Sequence, residues 1–416
     1  MLAKLFPKSA RRYLSLPLFG PVVDDFDDWL LEEGYTRGSR RCCLFPTVVH
    51  MDQHLRRCGI ERIEDLTPLA LQRCWKALQR RRRPAAGTVH VMERFLRGRR
   101  LLPQCPHPVS SPLALQVQDY SQHLREVRGF SPSTLHRHLR TATQFLTFLE
   151  FEKAPQVLAH VGASHLEGFV RKSGKAVSRG TFQHTVAELR GFLRFLAVSG
   201  KVTPGLEKQI DTPRCYRQEQ LPRALPWQTV RAFLQSIRRT TPMGRRDYAM
   251  FFLMATYGLR ASEVVALTLD DVHWKAGEIR VPQTKTRSAL ELPLTDAVAS
   301  VLIDYLRHVR RPPGYRQLFL RVRAPIGTLK PTAVTEAFQG WSRRSGLQIP
   351  FQGVHCIRHS FASYLLRRGT SLKTIGDLLG HRSPESTAVY LRLATEDLRE
   401  VGLPVPQPTL RPEVRS

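Results

Sequence analysis

The sequence predicts a mainly α chain with a small β-sheet, built as two helical modules in tandem and then an α+β domain. Three observations point there. Apolar residues recur at helical spacing through most of residues 22–200. Proline-rich stretches at 102–112 and 200–225 interrupt that pattern. Only one pair of short segments, Glu278–Pro282 and Leu290–Leu294, alternates with the two-residue period of a strand.

The first 21 residues carry Pro7 and Pro17 and no continuous apolar run, so they read as a basic arm and not as a secretory leader. In residues 22–102, Phe26, Trp29 and Leu30 are helically spaced, and Gly34-Tyr35-Thr36 breaks the pattern. A second helix runs from Ser39 to Leu55, a third starts at Leu66-Thr67-Pro68, and a fourth opens at Gly87-Thr88. The run Gln79-Arg80-Arg81-Arg82-Arg83 is either a solvated face or a phosphate contact. After a linker at 103–112 the plan begins again over 113–200. Gly129-Phe130-Ser131 echoes Gly34-Tyr35-Thr36, and Gly180-Thr181 echoes Gly87-Thr88, a weak internal repeat of two helical modules.

A second linker, 201–220, leads to a domain at 221–401, and a proline-rich tail follows at 402–416. That domain starts with helices at Thr229–Ile237 and Asp247–Tyr257, the latter stopped by Gly258, and a further helix begins at Ser262-Glu263. In the strand pair, Ile279 and Val281 share one face, and Lys285 sits in the turn between the strands. Helices at Ala297–Arg307 and Thr332–Ser345 lead to the stretch Val354–Tyr390.

Here the chemistry concentrates. His355, Arg358 and His359 stand at i, i+3 and i+4 and share one helix face. Gly369 ends that helix, Ser371 caps the next, and Gly380 throws His381 into a turn. Ser383-Pro384-Glu385 starts a last helix that carries Tyr390. A single histidine or tyrosine is more often structural than functional. A group of polar residues emerging together at helix starts and turns is costly to bury without partners, and so points to an anion. Arg260, between Gly258 and Ser262-Glu263, is the residue type that grips a phosphate bidentately, with Glu263 to brace it.

Composition agrees. The 416 residues hold 64 Lys+Arg against 35 Asp+Glu, a net charge of +29 that favours a nucleic-acid partner over a membrane. No apolar run approaches a membrane span. Seven cysteines (Cys42, Cys43, Cys58, Cys74, Cys105, Cys215 and Cys356) are odd in number and form no Cys-x-x-Cys pair. They support neither a disulfide framework nor a zinc site, and fit a reducing cytoplasm.

The run Tyr257-Gly258-Leu259-Arg260-Ala261-Ser262-Glu263, the hairpin Lys285, His355-Cys356-Ile357-Arg358-His359, Leu379-Gly380-His381 and Tyr390 together resemble the tyrosine recombinases, or phage integrase family. The resemblance covers about Leu115–Val401 and leaves the first hundred residues unexplained. It implies a SAM-like core-binding module at 113–200 and a catalytic domain at 221–401. It also implies a site-specific recombinase or integrase, of a mobile element, that breaks and rejoins duplex DNA through a 3′-phosphotyrosyl intermediate. The implied site is Arg260, Lys285, His355, Arg358, His381 and Tyr390. The arginines clamp the phosphate, His381 is a further donor, and Tyr390 attacks. His355 is the candidate base and Lys285 the candidate acid, with Arg287 a neighbouring cation. No metal, ATP or other cofactor is expected. The implied assembly is four protomers on two duplexes in the bacterial cytoplasm at the nucleoid, with a post-tyrosine helix at Thr395–Val401 docking on a neighbour. Accessory recombinases or DNA-bending proteins are further partners in this class. The module at 22–102 could contact an arm site, extend the grip on the duplex or hold protomers together. Two other readings remain at this stage: a type IB topoisomerase, which shares the chemistry, and a DNA-binding accessory protein with a decayed site.

Overall fold

A computed structural model describes residues 2–81, 83–102, 111–175, 177–212, 221–283, 288–310, 314–381 and 383–393. It is mainly helical with a single three-stranded sheet among those residues, the class the sequence predicts. The chain divides into two compact units: Leu55–Glu219, and Met1–His54 together with Gln220–Ser416.

In Leu55–Glu219, helices Pro68–Arg81 and Arg83–Gly98 precede Pro112–Glu126, Pro132–Phe148, Ala163–Gly174 and Arg179–Val198. The helix expected at Gly87 begins four residues earlier, because Pro84 is tolerated in a first turn and does not delay the start. Ser111, Ser131 and Ser178 cap three of these helices by accepting from the backbone N–H three residues on. Tyr120, Phe145, Leu146, Leu189, Phe192 and Leu193 form the core between the last four helices. Two polar pairs lie within it. Tyr120 Oη meets His138 Nδ1 at 3.0 Å, and buried Glu188 accepts from Thr141 Oγ1 at 2.7 Å while pairing with Arg137 at 3.0 Å.

The stretch expected to be a basic arm is folded. Leu2–Leu5 and Ala10–Leu14 are short helices, and Phe6 and Tyr13 pack on Phe45 with ring centroids 5.5 and 5.4 Å away. Buried Asp52 accepts the Leu18 and Phe19 N–H groups, each at 3.0 Å, so the arm's end is hydrogen-bonded into this core. Its cationic side chains hid an apolar set that only a distant aromatic residue completes.

In Gln220–Ser416, the Pro242–Tyr257 helix is apolar nearly all round and runs through the core, with Ala249, Met250, Phe251, Leu253 and Met254 fully buried. Its one buried carboxylate, Asp247, accepts from Trp341 Nε1 and Arg246 Nε, both at 2.9 Å. The sheet runs β1 (Val272–His273), β2 (Glu278–Gln283) and β3 (Ser288–Pro293), antiparallel in that order, with Ile279 opposite Leu292 and Val281 opposite Leu290. Residues 284–287, including Lys285 and Arg287, lie outside the described residues, as do Thr395–Val401 and the tail.

The candidate site is positioned at Gly258. It ends the Pro242–Tyr257 helix at φ +66°, and a Cβ there would fall 2.6 Å from Phe361 Cδ1 and 2.7 Å from Leu379 Cδ2. Glycine therefore meets two demands at once: a left-handed turn and close approach of two further helices, His355–Arg367 and Leu372–Leu379.

Candidate active site

Arg358, one turn into the His355–Arg367 helix, is 4% exposed. Its guanidinium donates to Gly258 O at 2.8 Å and Leu379 O at 2.6 Å. Both carbonyls belong to helix C-termini, where the partial negative charge suits a cation. Burial, then the neighbouring Arg260, pull its pKa down to about 10, so it stays charged at neutral pH.

Arg260 stands at the start of the Ala261–Ala266 helix. Its backbone N–H donates to Glu263 Oε2 at 2.7 Å and its guanidinium to Glu263 Oε1. Glu263 is 2% exposed and lies 3.9 Å from Arg358. One buried carboxylate thus braces two guanidiniums, leaving a net positive charge.

His381 follows Gly380, whose φ is +60°. Its Nδ1 lies 2.8 Å from Thr387 Oγ1, and its ring stacks parallel to Tyr390 at 6.4 Å. A Cβ at Gly380 would collide with the Gln283 side chain, so the end of β2 abuts the His381 turn.

Tyr390 is 2% exposed, packed with Phe361, Ile375 and Leu379. Burial pushes its phenol pKa up, while Arg358 and Arg260 pull it down. Its Oη lies 3.1 Å from His359 Nδ1. His355 is exposed at the start of the helix, its ring edge-on to His359 at 5.8 Å. The back of the helix is pinned by Ser360, whose Oγ accepts the Leu225 N–H at 2.7 Å, and by Tyr364 stacked on Trp227 at 4.5 Å. Cys356 is buried with its thiol pushed up to about 12, which leaves it inert at neutral pH.

Five of the six predicted site residues therefore gather in one place, and Lys285 lies outside the described residues. Sequence reasoning passed over His359, the residue on the phenol. Its i+4 spacing from His355 placed it on the right face but could not say which histidine meets a tyrosine arriving 31 residues later.

Comparison with known proteins now bears on this geometry. Residues 223–397 match the model of the phage integrase family, and 117–200 that of the phage integrase N-terminal SAM-like domain. The candidate integrase/recombinase y4rA of Sinorhizobium fredii is 34% identical over 402 residues, 94% of this chain and 97% of the relative. The chain belongs to the phage integrase family. Tyrosine recombinase XerD of Listeria monocytogenes is 30% identical over 291 residues, covering 68% of this chain and 96% of XerD. The y4rA match takes in most of the first hundred residues as well, so full-length relatives share that added segment. In fold, the site-specific recombinase XerH in a post-cleavage complex with its difH substrate superposes with a TM-score of 0.54 at 18% identity, covering 74% of this chain and 93% of XerH. The Tn1549 transposon integrase bound to circular-intermediate DNA gives 0.51 at 17%, covering 68% and 98%.

As a member of this family the protein is a site-specific recombinase with a SAM-like helical module ahead of its catalytic domain. Its relatives are recombinases and integrases, so the topoisomerase and inactive-accessory readings do not fit. Among the described residues no helix is long and apolar enough to cross a membrane, and no group of three or more His, Cys, Asp or Glu is placed to hold a metal ion.

Proposed function

We propose that the enzyme cuts duplex DNA at a specific site by transesterification. Tyr390 attacks a phosphodiester, leaving a 3′-phosphotyrosyl bond and a free 5′-hydroxyl that later reseals a strand. The observation that carries this reading is the convergence of Arg260 and Arg358 on Glu263, beside a phenol whose ionisation both arginines favour. As the scissile phosphorus becomes five-coordinate its oxygens gain negative charge. Fixed donors aimed at that charge are worth roughly 3 kcal/mol each. Arg260 and Arg358 are the clamps, and His381 is a third donor. Lys285 protonates the leaving 5′-oxygen, as arginine at 287 is too weak an acid. The phenol proton passes to a histidine of the His355–His359 run, with His355 the one the family resemblance implies. The arginines supply the positive charge, so no step calls for a metal, and the phosphotyrosyl bond conserves the diester's energy, so none calls for ATP.

The wider scheme follows the relatives. The core-binding module at 113–200 and the catalytic domain at 221–401 both hold the duplex, mostly through phosphates, so affinity falls steeply with salt. Recombination takes four protomers on two duplexes, with Thr395–Val401 docking on a neighbour and accessory DNA-bending or recombinase proteins as further partners. Residues 22–102 contact an arm site, extend the grip on the duplex or hold protomers together. The protein acts in the cytoplasm at the nucleoid, in the service of a mobile element.

A suicide substrate nicked beside the cleavage point tests the core claim. The native chain should become covalently attached to the DNA and Tyr390→Phe should not. An adduct that persists in Tyr390→Phe would overturn the assignment.

A further inference from the structure

Building on the proposed cleavage reaction, the geometry points to His359 as a catalytic residue: the group that takes the proton from Tyr390 Oη. Its Nδ1 lies 3.1 Å from that oxygen, within reach for direct transfer in the structure as it stands. The helix that carries it is the one that carries Arg358, so base and phosphate clamp share a rigid frame. Its place is fixed from both sides. Ser360, the next residue, is hydrogen-bonded to the Leu225 backbone, and the His355 ring packs edge-on against the imidazole. His355 itself is exposed at the helix start, its ring centroid 5.8 Å from that of His359.

The surroundings suit an acceptor. Arg358 and His355 on the same helix and Arg223 at the domain's entrance face His359, while Arg260 acts on the adjoining phenol. Burial first, then these cations, hold the imidazole neutral, so a lone pair on Nδ1 can face the phenol while Nε2 carries the hydrogen. A DNA phosphate settling between Arg260 and Arg358 brings the opposite charge. It offsets the repulsion that opposes protonation, so the base strengthens when substrate arrives.

The step balances. The Tyr390 Oη–P bond forms as P–O5′ breaks. The phenol proton moves to His359 Nδ1, giving an imidazolium, and the 5′-oxygen takes its proton from the general acid. In religation the 5′-hydroxyl attacks phosphorus and gives its proton back to the deprotonated general acid, the Tyr390 oxygen leaves, and the imidazolium returns the proton to it.

The test is single-turnover adduct formation by the full chain on the suicide substrate, comparing native, His359→Gln and His355→Gln across pH. His359→Gln should slow adduct formation about 100-fold near pH 7, with DNA binding unchanged and the deficit shrinking as rising pH ionises the phenol unaided. A substrate with sulfur in place of the bridging 5′-oxygen, whose leaving group needs no proton, should not rescue it. A rate within about threefold of native, a deficit that does not change with pH, or rescue by the sulfur substrate would each overturn the assignment. If His359→Gln fails to fold, nitrogen NMR of histidine-labelled native protein decides. An unprotonated Nδ1 at neutral pH is expected, and a protonated Nδ1 refutes the role. Adduct formation by native protein with a normal His359→Gln would sink this inference and leave the proposed function standing, whereas no native adduct would sink the latter.

Discussion

The Gly258 carbonyl accepts a 2.8 Å hydrogen bond from the Arg358 guanidinium across 100 residues of sequence. One residue thus ends a core helix, turns the chain toward Arg260 and fixes the second clamp. Gly258→Ala places a methyl group against Phe361 and Leu379 and strains a left-handed turn. Gly277 has a similar φ, +69°, but open space around it. Gly277→Ala should cost about 1 kcal/mol, the left-handed strain alone, and Gly258→Ala about 3 kcal/mol or more. Urea denaturation checks the difference. Equal losses would show that the close approach of the helices does not matter.

Glu263 holds the half-buried Arg260 guanidinium and lies 3.9 Å from the buried one of Arg358, and its removal leaves both unbraced. Glu263→Ala should destabilise the protein by about 3 kcal/mol, the scale for breaking a buried ion pair. It should also slow adduct formation on the suicide substrate, because Arg260 loses its hold. A variant that melts like the native protein would mean that solvent reaches the pair.

His359 links stability to pH. Burial, helped by His355 and Arg358, lowers its pKa to about 4 from 6.5. The unfolded chain therefore binds the proton first as pH falls. The contribution to stability is complete above about pH 6.5 and is lost progressively down to about pH 4. It amounts to about 3 kcal/mol at most. Denaturation at pH 7 and pH 4.5 should show a drop that is smaller in His359→Gln. An identical drop in both would assign the acid sensitivity elsewhere.

Much of this architecture was legible because it is written locally. Ser131, Ser371 and the residues after them spell helix starts, and Ile279 and Val281 spell a strand. The fold class came from such signals, and the ordered set from Arg260 to Tyr390 from the family resemblance that its motifs carry. What escaped depends on distance or brevity. β1 has two residues, too few to show a period. The helix Ala163–Gly174 went unread because its start, Gly162, offers no side-chain cap. The folded first 20 residues become intelligible only once Phe45 and Asp52 supply their partners. Glu263 was anticipated as a brace for Arg260, but its closeness to Arg358 is set by tertiary packing alone.

The contact between Gly380 and Gln283 couples the hairpin base to His381 and lends itself to a double-mutant cycle. A methyl group at Gly380 would fall 1.9 Å from Gln283 Nε2, on a backbone already at φ +60°. Gly380→Ala should therefore carry two penalties: about 1 kcal/mol of left-handed strain and a further cost from displacing Gln283. The displaced side chain pushes either the His381 turn or the end of β2, so adduct formation should fall along with stability. Gln283→Ala removes the obstacle. In that background Gly380→Ala should cost only the strain, and part of the lost adduct formation should return. Strict additivity of the two substitutions, in both denaturation and cleavage, would mean that the turn and the hairpin base move independently. In that case the contacts of His381 with Thr387 and the stacked Tyr390 ring, and not the hairpin base, would hold its side chain.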